Sequence, residues 1–137
     1  FDIAYSGTIG AAMEGVMNGI PAIAFSAQHD GSFDVAEAHL LPIARELIAL
    51  GQDAGEVWNV NFPGCALEDF KGILRGRSIC KTCLYDNKYT QERLPDGSLK
   101  LTISGKPVSP DTVPEGCDVR AVLDGYISIG KVRSMVL

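Results

Sequence analysis

The chain has 137 residues, with seventeen acidic against twelve basic side chains and a net charge of −5. Hydrophobic residues at 46% and charged residues at 21% exclude a disordered chain, and the length fits one compact domain or part of a larger one. The acidic excess excludes a general nucleic-acid or anionic-membrane binder, and no apolar run is long enough for a transmembrane helix.

The first clear period is helical. Ile9, Ala12, Met13, Val16, Met17 and Ile20 form one apolar stripe, with Ser6 or Thr8 as N-cap and Gly19-Ile20-Pro21 as stop. Ala22 to Ser26 is short and continuously apolar, the pattern of a strand buried on both faces. Gln28 to Ser32 is a polar loop. A second helix carries Phe33, Leu40, Ile43, Leu47 and Leu50 on one face, with Asp34 and Glu37 at its positive end and Pro42 predicted to kink or split it. Glu56 to Phe62 alternates as a strand, with Trp58, Val60 and Phe62 on one face and Asn59 and Asn61 on the other.

Beyond Pro63 the pattern becomes β-rich. Strand-like pieces run from Ile73 to Leu84. Tyr85 to Leu94 and Leu99 to Ser104 flank the turn Pro95-Asp96-Gly97-Ser98 and predict a β-hairpin over 85–104. Gly105 to Gly116 is loop. Asp118 caps a short helix to Asp124, and Tyr126 to Ile129 is a last strand. The organisation is an α/β portion over 1–63, a β-rich extension over 64–117, and a return over 118–137.

Several residues invite a chemical reading. Ser6-Gly7-Thr8 puts two hydroxyls and a glycine at a helix N-terminus, where free N–H groups suit an anion; spacing alone fits plain capping better. Cys80-Lys81-Thr82-Cys83 is a C-x-x-C without a second pair, so incidental thiols are favoured over a zinc site built with Cys65 and Cys117. The four cysteines are too few for a disulfide scaffold, and with no export signal in view a cytoplasmic setting is expected. His29 lies near Ser26 and Asp30, but without a G-x-S-x-G elbow a hydrolase triad is disfavoured. His39 falls on a polar helix face. Asp30 and Asp34 fit capping better than a carboxylate pair. Asn59 and Asn61 fit backbone contacts better than ligand contacts. Gly105-Lys106 lacks the rest of a P-loop.

The string YSGTIGAAMEGVMNGIPAIAFS, Tyr5 to Ser26, resembles the stationary-phase survival protein family (SurE), metal-dependent 5′/3′-nucleotidases. Trp58 to Pro63 is similar to the family's L-N-V-N-x-P strand, and Asp118 to Ile129 to its D-x-x-A-x-x-x-G-Y-[VI]-S-[VI] segment; the stretch Gly130 to Leu137 departs from the family's T-P-L ending. The resemblance implies a three-layer α/β/α, Rossmann-like fold with a protruding β-hairpin used in oligomer contacts, as homodimer or homotetramer. It implies hydrolysis of nucleoside monophosphates with a divalent metal, Mg²⁺ or Mn²⁺, and makes Ser6, Gly7 and Thr8 phosphate contacts. The family's metal motif, Asn-Asp-Asp-Gly, has no counterpart in these residues. The ligands and the N-terminal strands are therefore expected outside this chain, which alone should be almost inert. The alternative is a non-catalytic assembly fragment that pairs with another polypeptide.

Overall fold

A computed structural model describes residues 6–28, 31–81, 89–103 and 109–133. The elements in chain order are α1 (Gly7–Met17), β1 (Ile23–Ala27), α2 (Asp34–Leu50), β2 (Glu56–Phe62), β3 (Gly72–Arg77), β4 (Tyr89–Arg93), β5 (Leu99–Ile103), α3 (Asp118–Leu123) and β6 (Tyr126–Arg133). One four-stranded sheet has the order β1-β2-β6-β3, and β4 and β5 form a separate hairpin. β1 and β2 are parallel, β6 runs antiparallel to β2, and β3 is parallel to β6.

Alternation along β2 creates the layers. Val60 and Phe62 point to the α2 side, where they pack with Ile127 and Ile129 of β6 and with Val35, Ile43 and Leu47 of α2. Val57 points the other way and packs with Val132, Ala24 and Val16 of α1. α3 joins α1 on that second face, because Asp118 accepts a hydrogen bond from Asn59. The result is the expected α/β/α arrangement. Burial of each large core side chain contributes about 1.5–3 kcal/mol, so the α2 face is the stronger of the two.

Several local expectations change. The α1 stripe ends at Val16: Met17 is 52% exposed and Ile20, beyond the C-cap Asn18, is 61% exposed. Gly19, at φ 77°, has already turned the chain away from the helix axis there. β1 is an edge strand rather than one buried on both faces, because among the described residues it pairs with β2 alone; only Ala24 is buried and Ser26 is exposed. α2 is one unbroken helix through Pro42, whose ring lies on the exposed side where the freed carbonyl of Ala38 reaches water. Its buried line uses Val35 in place of Phe33 and Leu50, which are exposed.

β3 ends at Arg77, and Ser78 then makes an isolated bridge to Cys117, so the stretch to Lys81 is not strand. The register of β3 shifts at Gly76, φ 66°, and brings Arg77 opposite Gly130. A Cβ on Gly130 would lie 2.1 Å from the Arg77 carbonyl oxygen, so this strand contact requires glycine. A 3-10 turn, Pro110–Thr112, interrupts the loop expected before α3. Cys117, not Asp118, is the N-cap of α3, and β6 runs to Arg133 because Val132 is buried and Lys131 and Arg133 both bind Glu56.

The β4–β5 turn forms as its residues dictate. Asp96 Oδ1 accepts from the Ser98 N–H at 2.9 Å, and Gly97 takes φ 85°. The outer ends of this hairpin, 85–88 and Ser104, lie outside the described residues.

Candidate functional site

α1 leads directly into β1, so it runs antiparallel to that strand. Its first turn therefore lies over the carboxyl ends of β1 and β2, the rim on which open α/β sheets bind ligands. Ser6 is the N-cap, and its hydroxyl accepts from the Ile9 N–H at 3.3 Å. Gly10 N–H bonds to the Ser6 carbonyl at 2.9 Å. The Gly7 and Thr8 N–H groups are left without intrahelical partners, as the geometry of a first turn dictates. Both residues are exposed, and a Cβ on Gly7 would meet nothing within 4 Å. No acidic side chain occupies the first turn of α1, which suits an anion at the positive end of the helix. Thr8 does not cap; it stands two residues further in, as the second residue of α1.

The loops beside this rim are held closely. The Gln28 N–H bonds to the Phe62 carbonyl at 3.2 Å, the Ser32 N–H to the Gly64 carbonyl at 2.9 Å, and the Gly64 N–H to Gln28 Oε1 at 3.3 Å. A Cβ on Gly31 would lie 2.1 Å from the Gly64 oxygen, so a side chain there would force the exits of β1 and β2 apart.

The two asparagines of β2 diverge. Asn59 donates to Asp118 Oδ2 at 3.2 Å, and Asp118 Oδ1 accepts from the Cys80 and Val119 N–H groups, each at 2.8 Å. Asn59 thus has a carboxylate partner rather than the expected backbone one. Asn61 has no such partner among the described residues, and its Nδ2 is buried and unbonded there. Opposite it in the β2–β6 register stands Ser128, whose side-chain hydroxyl is also buried and unbonded. Sequence reading overlooked Ser128, although a hydroxyl between Ile127 and Ile129 in an apolar strand was a visible signal.

The remaining candidates separate. His39 packs on the Phe70 ring at 4.8 Å between centroids, on the α2 side of the sheet rather than the α1 side, and is half-buried packing. Asp34 is exposed in the first turn of α2, where the Ser32 hydroxyl accepts from its N–H. Cys80 and Cys117 are buried together with Val113, and burial pushes the Cys117 thiol up. Cys65, Cys80 and Cys117 are free thiols. His29, Asp30, Cys83 and the Gly105-Lys106 pair lie outside the described residues. At the opposite end of β2, the buried Glu56 carboxylate meets Lys131 and, at 2.7 Å, Arg133; hydrogen bonds from the two cations hold it down at about 2. Among the described residues no group of three His, Cys, Asp or Glu side chains could hold a metal ion. These residues alone therefore do not fit a metal centre. Nor is any described helix long and apolar enough to cross a membrane.

Comparison with known proteins bears on the same segments. The family model described as Survival protein SurE matches residues 1–89. A "5'-nucleotidase SurE" of Flavobacterium psychrophilum is 34% identical, with 96% of this chain aligned to 51% of that protein. A "5'/3'-nucleotidase SurE" of Shigella dysenteriae is 35% identical over 96% of this chain and 51% of its own length. A crystal structure of the SurE protein from Aquifex aeolicus superposes with a TM-score of 0.72 at 32% identity, covering 96% of this chain and 53% of that one. The chain spans about half the length of the curated relatives it matches.

Proposed function

Because the chain belongs to the SurE family, we propose that it provides the phosphate-binding portion of a metal-dependent 5′/3′-nucleotidase acting on nucleoside monophosphates. The observation that carries this reading is the cap of α1. Ser6 serves the Ile9 N–H, the Gly7 and Thr8 N–H groups have no intrahelical partner, and a Cβ on Gly7 would meet nothing within 4 Å. Ser6, Gly7 and Thr8 are the proposed phosphate contacts. Aligned amide dipoles there favour a dianionic ester, and their donors gain strength as charge builds on the phosphoryl oxygens during attack by water. The divalent ion, Mg²⁺ or Mn²⁺, would be held by residues other than the described ones.

Two finer assignments go with this reading. Three free cysteines suit a reducing, cytoplasmic setting. The hairpin presents Tyr89, Leu99 and Leu101 as exposed apolar side chains, which supports a homodimeric or homotetrameric contact there.

Titration of AMP into the ¹⁵N-labelled chain tests the site: the Gly7, Thr8 and Ile9 amide signals should shift saturably, and unmoved signals would overturn the reading. Phosphate release from AMP with added Mn²⁺ should be near background. A turnover in the ordinary enzyme range, about 1–10³ s⁻¹, would place the metal donors within this chain after all.

A further inference from the structure

The parallel and antiparallel registers place three polar side chains in one row across the sheet: Ser26 of β1 stands opposite Asn61 of β2, which stands opposite Ser128 of β6. The row lies on the α1 face, because Ala24, Val57 and Val132, each two or four positions from a member of the row and so on the same face, pack against Val16. It crosses the carboxyl ends of β1 and β2, below the first turn of α1. Burial deepens along it, from exposed Ser26 through half-buried Asn61 to Ser128 at 0% exposure.

Two members of this row, side by side, are orphans. Asn61 Nδ2 and Ser128 Oγ are both buried without a hydrogen-bond partner among the described residues. Buried polar groups are almost always paired, so adjacent exceptions call for an occupant that completes them. Asn59 supplies the internal contrast. It is on the same face of the same strand, two positions earlier, and is satisfied by Asp118. A structural asparagine in this sheet therefore can be partnered by protein, and Asn61 is not. The orphan amide is a pure donor and the orphan hydroxyl a donor or acceptor. Both match an acceptor-rich group entering from the α1 rim.

We propose that Asn61 and Ser128 form the floor of the phosphate site, donating to an oxygen of the phosphomonoester that the first turn of α1 holds from above. This rests on the phosphate-binding reading of Ser6, Gly7 and Thr8. It adds two positioning residues from the sheet to the donors of the helix. Donors from two elements would fix the ester in orientation as well as in place, which a single helix terminus does not do.

The test follows side-chain NH₂ signals in the ¹⁵N-labelled chain as inorganic phosphate, and separately AMP, is added. The Asn61 pair, assigned by its loss in Asn61→Ala, should shift along the same saturation curve as the Gly7 and Thr8 amides, while the Asn59 pair stays still. Ser128→Ala should keep its thermal midpoint, since the hydroxyl has no partner to lose, and bind phosphate about tenfold more weakly, the effect of one charge-assisted hydrogen bond. Movement of Gly7 and Thr8 without Asn61 would overturn the floor and leave the helix site standing. Stillness of all these signals would overturn both. A Ser128→Ala chain with unchanged phosphate affinity would mark the orphan hydroxyl as a feature of packing and also overturn the floor.

Discussion

Asp118 is the acceptor that ties α3 to the sheet, and removing it should be among the most damaging single changes in the molecule. Its carboxylate accepts from the Cys80 N–H and the Val119 N–H at 2.8 Å each, and from Asn59 Nδ2 at 3.2 Å. In Asp118→Ala the Val119 N–H, in the first turn of a helix, can turn to water. The Cys80 N–H and the Asn59 amide are buried and cannot. A stranded buried donor costs about 1–3 kcal/mol, so two of them cost about 2–6 kcal/mol. Asp118→Asn differs in kind. The retained oxygen still serves Cys80 and Val119, and Asn59 can rotate its amide to present an oxygen to the new NH₂. The loss is then only the charge assistance, about 1 kcal/mol. Urea unfolding of the chain, followed by fluorescence of its single tryptophan, Trp58, measures both. The Asn59→Ala/Asp118→Ala pair should cost less than the sum of its single changes, by about 1 kcal/mol or more, because the stranded amide is gone. Equal losses for Asp118→Ala and Asp118→Asn, or strict additivity in the double variant, would refute this account.

Two further outcomes follow from other parts of the fold. Glu56 has its carboxyl pulled from 4.5 down to about 2 by Lys131 and Arg133, so its contribution is complete above the unfolded value and is lost as pH falls toward 2; Glu56→Gln should flatten the acid limb of stability between those values, and an unchanged acid unfolding curve would count against the pairing. Pro42→Ala should stabilise the chain, by up to about 3 kcal/mol, because it restores a hydrogen bond within α2 at an exposed position; a lowered denaturation midpoint would refute this and mean that the proline stabilises the fold by restricting the unfolded chain.

What the sequence disclosed was local. The Ser6 cap, the stop at Gly19, the alternation of β2 and the Asp96-Gly97 turn each depend on neighbours a few residues away, and each appears where it was expected. What it concealed was decided across the chain. That β1 pairs with β2 alone among the described residues is encoded by no feature of Ala22 to Ser26. The partners of Asn59 and Glu56 lie 59 to 77 positions away, so neither their burial nor their bonding could be read from their surroundings. Pro42 was misjudged because its local cost is outweighed by the burial of Val35, Ile43 and Leu47 on either side of it, a tertiary gain that the residues around the proline do not reveal. The first turn of α1 was legible as a helix start. Its floor was not, because Asn61 and Ser128 meet only through a strand register.

The position of β6 bears on how the chain is made. Of the described strands it is the last to leave the ribosome, yet it lies inside the sheet, and among the described residues β3 pairs with β6 alone. During synthesis β1 and β2 can pair early, while β3 must wait with its backbone unclaimed until residues 126–133 emerge and join the two halves. Translation halted before Tyr126 would leave two pieces of sheet exposed to chaperones and proteases.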